Sequence, residues 1–90
     1  MRIFQATEAD GSVVLRLNGQ VSGQWVDGLR HLTSEILQKP STRLVFDLAE
    51  VSFIDADGLE LFRELLSPHV SVSNCSLFVA QQLKALEEKK

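Results

Sequence analysis

The chain is poor in the residues that usually announce a compartment or a chemistry. It holds a single cysteine, Cys75, in 90 residues, so no internal disulfide can form and a reducing compartment is expected. No apolar run approaches the roughly 20 residues that span a bilayer. The N-terminal stretch Met1 to Gln5 lacks the apolar core of a secretion signal, so the expected location is the cytoplasm. The nine lysines and arginines are scattered and the formal net charge is -3, which argues against nucleic acid as the main partner, since phosphates require grouped cations. Internal repeats, linkers and low-complexity segments are missing as well. What remains is 44% hydrophobic and 23% charged, the balance of one small folded domain, neither disordered nor membrane-embedded. At this length about 65% of the unfolded chain's surface can be buried on folding.

Hydrophobic periodicity divides the chain into short elements. Arg2 to Ala6 reads as a strand, and Glu8-Ala9-Asp10-Gly11 as a hairpin turn. Ser12 to Leu17 alternates, with Val13, Leu15 and Leu17 on one face and Val14, Arg16 and Asn18 on the other; Gly19 is expected to end it. Ser22 or Gly23 starts a first helix, with the Ser side chain as a cap. Its stripe is Trp25, Leu29, Leu32 and Ile36, which makes Trp25 a core residue whose early position leaves one edge open to the Gly19–Gly23 loop and a partner, and Pro40 stops it. Gly28 inside this helix costs about 1 kcal/mol relative to Ala, which predicts close packing against the sheet. Arg43 to Leu48 is apolar at nearly every position, as in a strand covered on both faces. A second helix is expected from Asp57 to Leu66, with Gly58, Phe62 and Leu65 inward, ended by Ser67-Pro68. Cys75 to Ala80 reads as a last strand, and Gln81 to Lys90 as a last helix with a solvated Glu87–Lys90 tail. The order predicts an α/β fold: a small mixed sheet of four strands, the first antiparallel and the others parallel, with helices mainly on one face.

The densest information lies in Arg43 to Leu66. An apolar run ends in Asp47, and after a short connection Phe53-Ile54 delivers Asp55, Asp57 and Gly58 to the start of the second helix. Open α/β folds bind their ligands where strand carboxyl ends meet helix N-termini, and carboxylates there act as caps, metal ligands or partner contacts. Asp55 or Asp57 is a favoured N-cap, and Asp47 is suited to bonding the backbone of its own turn.

Catalytic readings of these acids lack supporting groups. Asp55-Ala56-Asp57-Gly58 resembles the D-x-D-G turn of haloacid-dehalogenase-type phosphatases, with Asp55 as nucleophile and Asp57 as acid/base. That chemistry also needs a threonine where Leu59 stands, a supporting lysine and a further acidic pair. Read as a calcium loop with Gly58 at the sixth position, the segment puts Phe53 at the first, where an oxygen ligand is required. A phosphoacceptor site around Asp47 has no acidic pair after the first strands. Cys75 sits in an apolar run, where cysteine is usually a small core residue, and His31 and His69 read as solvated side chains. No metal site, cofactor or enzymatic activity is expected.

Leu44 to Leu59 resembles the signature of the STAS domain, the sulphate-transporter and anti-sigma-factor-antagonist family: an apolar strand, D-L-S-x-V, two apolar residues, then D-S-S-G-L or D-S-A-G-L. Upstream, Leu15 to Val21 is similar to the family's L-x-G-x-L segment. The resemblance covers residues 12 to about 80 and implies one domain over 1–90, short at its C-terminal end, which invites self-association as a homodimer. It further implies a non-enzymatic module that docks on proteins. Single-domain bacterial members bind kinase-like anti-sigma factors, and phosphorylation of the middle serine of D-S-S-G breaks the complex. Here Asp55 matches the motif Asp, Ala56 the phosphorylated Ser, Asp57 the next Ser and Gly58 the Gly. The usual phosphate acceptor is therefore absent, Ser52 is the nearest hydroxyl on the amino side, and Asp57 sets a permanent carboxylate beside Ala56. Other single-domain members serve as cytoplasmic accessory subunits of phospholipid-transport ATPases, a second partner class. In either case the expected partner-binding residues are Asn18, Gly19 and Ser22, the turn Asp55, Ala56, Asp57 and Gly58, and Glu60, Arg63 and Glu64 on the helix that follows.

Overall fold

The computed structural model describes residues 2–39 and 41–88. Strand β1 (Arg2–Thr7) pairs antiparallel with β2 (Val13–Val21) across the expected turn. There Gly11 adopts φ 89°, and the Asp10 carboxylate accepts the Ser12 N–H at 2.9 Å. That bond holds the Asp10 carboxyl below its ordinary pKa. Strand β3 (Leu44–Ile54) lies parallel to β2, and β4 (Val70–Ser73) parallel to β3, giving the order β1-β2-β3-β4. Helices α1 (Gln24–Ile36), α2 (Ala56–Leu65) and α3 (Leu77–Glu88) complete the fold.

One core joins sheet and helices, as the alternation requires. Leu15, Leu17, Phe46 and Leu48 point inward from the central strands, and Val26 and Leu29 of α1, Leu61 and Phe62 of α2, and Val79 and Leu83 of α3 meet them. The Phe46 and Phe62 rings pack edge to face at 5.1 Å, a favoured aromatic geometry. Because α2 touches both α1 and α3 and all three feed one core, the helices form a layer on one face. The other face carries Phe4, 53% exposed, and the Arg16–Asp47 ion pair at 3.5 Å.

Several sequence expectations are corrected. Neither Gly19 nor Asp47 ends its strand. Gly19, at φ 107°, lies within β2, and β3 runs unbroken to Ile54 with no connection after Asp47. Two register shifts, between Arg16 and Asn18 and between Gly19 and Gln20, let nine residues of β2 pair along eleven of β3. Cys75 to Ala80 is not a strand. The last strand is the alternating Val70-Ser71-Val72-Ser73, and Asn74 at φ 58° turns the chain out of the sheet. Ser76 then starts α3, its Oγ accepting the Val79 N–H at 3.2 Å, so the apolar run is spent on a helix that buries Val79 and Leu83 one turn apart.

On α1 the buried positions are Val26, Leu29 and Thr33, while Trp25 is 47% exposed. Thr33 is tolerated inside because its hydroxyl donates to the Arg30 carbonyl at 2.9 Å. Gly28 is exposed, with nothing within 4 Å of where a Cβ would stand, so the expected close packing is absent there. On α2 the inward residues are Gly58, Leu61 and Phe62, with Leu65 only partly buried. The helix begins at Ala56 and ends at Leu65; Ser67 and Val70 then exchange backbone hydrogen bonds at 3.1 Å and lead into β4. The stop assigned to Pro40 and the charged tail at Lys89 and Lys90 lie outside the described residues, as do the side chains of Glu87 and Glu88.

Candidate functional site

The parallel strands β2 and β3 end side by side, at Val21 and Ile54, and each hands the chain directly to a helix. The N-termini of α1 and α2 therefore meet at one end of the sheet, along the edge traced by the carboxyl ends of its two central strands. Asp55 joins them. It is the N-cap of α2, its Oδ1 accepting the Gly58 N–H at 2.8 Å. Its Oδ2 accepts the N–H of Gly23, the N-cap residue of α1, at 3.0 Å. Both oxygens of one carboxylate thus hold backbone donors from two segments, and the Asp55 N–H donates to the Val21 carbonyl at 3.0 Å. The side-chain cap expected from Ser22 is not made; the carboxylate at α1 comes from 32 residues further along the chain.

Gly58 explains its own identity. A Cβ at this position would lie 2.7 Å from Ile54 Cγ2 and 2.8 Å from the Val21 carbonyl oxygen. The first turn of α2 rests directly on the ends of both strands, and only glycine leaves room.

The remaining site residues divide by place. Ala56, Asp57, Glu60, Arg63 and Glu64 are exposed along the outer side of α2. Arg63 pairs with Glu60 at 3.7 Å, and Glu64 pairs with Arg30 of α1, tying the two helices together. Asp57 makes no hydrogen bond or ion pair among the described residues. Ser22 stands half-buried beside Gly23. Asn18 and Gly19 are not in a loop. Both lie within β2, opposite Glu50 and Val51, and Asn18 is three residues, about 10 Å of strand, short of the edge.

Asp47 is remote from this turn. Seven residues of β3 separate it from Asp55, roughly 25 Å at strand rise. Its Oδ1 accepts the Ala49 N–H at 3.1 Å, which, helped by the Asn74 side chain and Arg16, holds its carboxyl below the ordinary range against the opposing effect of burial. Cys75, half-buried, has its thiol pushed up by burial. Among the described residues no three His, Cys, Asp or Glu side chains gather closely enough to share a metal ion, and no helix is long and apolar enough to cross a membrane. A concavity of about 400 Å³, lined by Asp10, Ser12, Lys39, Thr42 and Arg43 among others, lies at the opposite end of the sheet, where β2 and β3 begin.

Three residues of this edge escape sequence reasoning. Gly23 carries the signal of a turn but not of its partner. Trp25 is read as core with only one edge toward a partner, although Val26 beside it fits the buried stripe and Trp25 itself is 47% exposed. Gln82 of α3, whose side-chain amide bonds both the N–H and the carbonyl of Ile54, gives no local signal at all.

The fold is shared with proteins of known structure. The anti-sigma factor antagonist SpoIIAA, in its unphosphorylated form, matches at TM-score 0.55 and 21% identity over 96% of this chain, which spans 66% of that protein's length. An antisigma-factor antagonist STAS domain from Rhodobacter sphaeroides matches at TM-score 0.58 and 16% identity, over 81% of this chain and 85% of that one. No curated protein matches. The sequence itself fits the family model of the STAS domain over residues 4–86, and with nearly its whole length so matched, the chain belongs to the STAS domain family.

Proposed function

We propose that this chain is a non-enzymatic protein-docking module of the anti-sigma factor antagonist kind, whose surface lacks the usual phosphorylation switch. The carrying observation is the pair of hydrogen bonds that the Asp55 carboxylate accepts from the N–H groups of Gly23 and Gly58. A carboxylate with both oxygens committed to backbone donors fastens two segments into one surface and is poorly placed to act as a nucleophile. That counts against the phosphatase reading. Ala56 is exposed beside it and offers no hydroxyl.

The docking surface is the edge formed by Ser22–Trp25, the Asp55–Gly58 turn and the outer side of α2 with Glu60, Arg63 and Glu64; Asn18 and Gly19 stand at its margin. Trp25 is the natural anchor, because exposed tryptophan is enriched among the few residues that dominate interfaces. The partner is a protein, and the motif favours a kinase-like anti-sigma factor in the cytoplasm.

The test is to incubate the protein with such a kinase and ATP. No phosphate is expected on the native motif, and Ala56→Ser should restore phosphorylation. Ser52 lies in β3, outside the turn; phosphate on Ser52 in mass spectrometry would instead mean that the switch has moved. Co-purification with a phospholipid-transport ATPase and no kinase would replace this reading with the transporter-subunit one. Mg²⁺-dependent hydrolysis abolished by Asp55→Asn would overturn it in favour of a phosphatase.

A further inference from the structure

β3 is covered along its whole length by β2 but only in part by β4. Pairing with β4 starts at Leu44 opposite Val70 and stops at Asp47 opposite Ser73. Asn74 turns the chain away, and α3 takes the place beside the rest of β3. At Ile54 the helix does what a strand would do. The Ile54 N–H donates to Gln82 Oε1 at 3.3 Å, and Gln82 Nε2 donates to the Ile54 carbonyl at 2.8 Å. A primary amide presents the same donor and acceptor pair as a peptide group, so Gln82 stands in for the missing strand residue. Val79 and Leu83 seat the helix in the core, and Phe78 stacks on Phe53 with ring centroids 6.4 Å apart.

The next residue is Asp55, whose N–H is held from the other side by Val21. The backbone entering the turn is therefore gripped by α3 on one flank and β2 on the other, just before the carboxylate that reaches Gly23 and Gly58. We propose that Gln82 is a positioning residue for the docking turn: its amide completes β3 at Ile54 and passes the seating of α3 on to Asp55. The functional consequence rests on the docking reading; the coupling itself does not. It follows that a change in α3 alters partner binding without α3 touching the partner.

Amide hydrogen exchange on the full chain, followed by NMR, tests the coupling with no partner present. Gln82→Met keeps the side chain's length and bulk but loses both hydrogen bonds. Val79→Ala lowers the stability of the whole core, and Phe78→Ala removes the ring stack, both leaving Gln82 in place. In Gln82→Met, exchange at Gly23 and Gly58 should rise about tenfold relative to Leu15 and Leu17 in β2, the scale of losing two modest hydrogen bonds. Val79→Ala should raise exchange at all four positions in proportion, and Phe78→Ala should leave Gly23 and Gly58 near wild type. The proposal is overturned if Gln82→Met moves Gly23 and Gly58 only in step with the β2 amides, or if Phe78→Ala reproduces the Gln82→Met pattern. Docking itself fails or stands separately, on whether Trp25 and Asp57 variants lose a partner.

Discussion

Asp55 and Asp57 are two residues apart and both acidic, yet they do opposite work. Asp55→Ala removes the acceptor for Gly23 and Gly58 together. Gly23 is open to water, whereas Gly58 is buried, so its N–H is left stranded. A loss of about 1.5 kcal/mol is expected, or roughly 6–12 °C in Tm for a domain of this size. Asp55→Asn keeps one acceptor oxygen and should cost about half as much, measured by thermal or urea unfolding. Asp57→Ala touches no partner and should change stability by only a few tenths of a kcal/mol, through the helix dipole. Asp47 adds a pH dependence of its own. Its pKa is lower in the folded chain than in the unfolded one, so its stabilising contribution is complete above the ordinary carboxylate range. That contribution disappears as pH falls through the folded value. Urea midpoints collected between about pH 6 and pH 2 should therefore fall less steeply for Asp47→Asn than for wild type.

At the level of elements, two helical glycines make a matched pair. Gly28 faces open space on α1, and Gly58 is pressed against Ile54 and the Val21 carbonyl. Gly28→Ala should stabilise by up to about 1 kcal/mol, while Gly58→Ala should destabilise by about 1–3 kcal/mol; chemical denaturation of both variants checks the opposite signs. The same contrast explains what could be read from the sequence. The turn from Asp55 to Gly58 was legible because a cap and the donor it holds are three residues apart, and the hairpin at Asp10-Gly11 was legible for the same reason of locality. The bonds that tie the Asp55 turn to Gly23 and, through Ile54, to Gln82 span 32 and 28 residues and leave no periodic trace. On α1 the apolar spacing points to Trp25 where the fold buries Val26, because Thr33 looks polar in sequence and is buried in the fold. Cys75 to Ala80 has strand-like composition, but the shorter Val-Ser alternation before it takes the sheet edge, and the run is left to form the start of α3.

In the whole molecule, the helix layer, the bare sheet face and the edge where α1 and α2 begin are three separate surfaces, and only the last gathers the family motif. Charge reversal there, Asp57→Lys or Arg63→Glu, should weaken partner binding in a titration while moving Tm little. Arg63→Glu adds a like-charge neighbour at Glu60, worth only a few tenths of a kcal/mol on a helix surface. If binding ignores Asp57, Glu60, Arg63 and Trp25 together, the partner sits on another surface. The lone tryptophan of the chain also settles how the protein reports on itself optically. Its indole is nearly half hydrated in the native fold, so unfolding changes its surroundings little. Intrinsic fluorescence should therefore trace urea denaturation with a small amplitude compared with circular dichroism. Occlusion of the same ring by a bound partner would shift its emission to the blue, which makes Trp25 a label-free gauge of association and a poor gauge of folding.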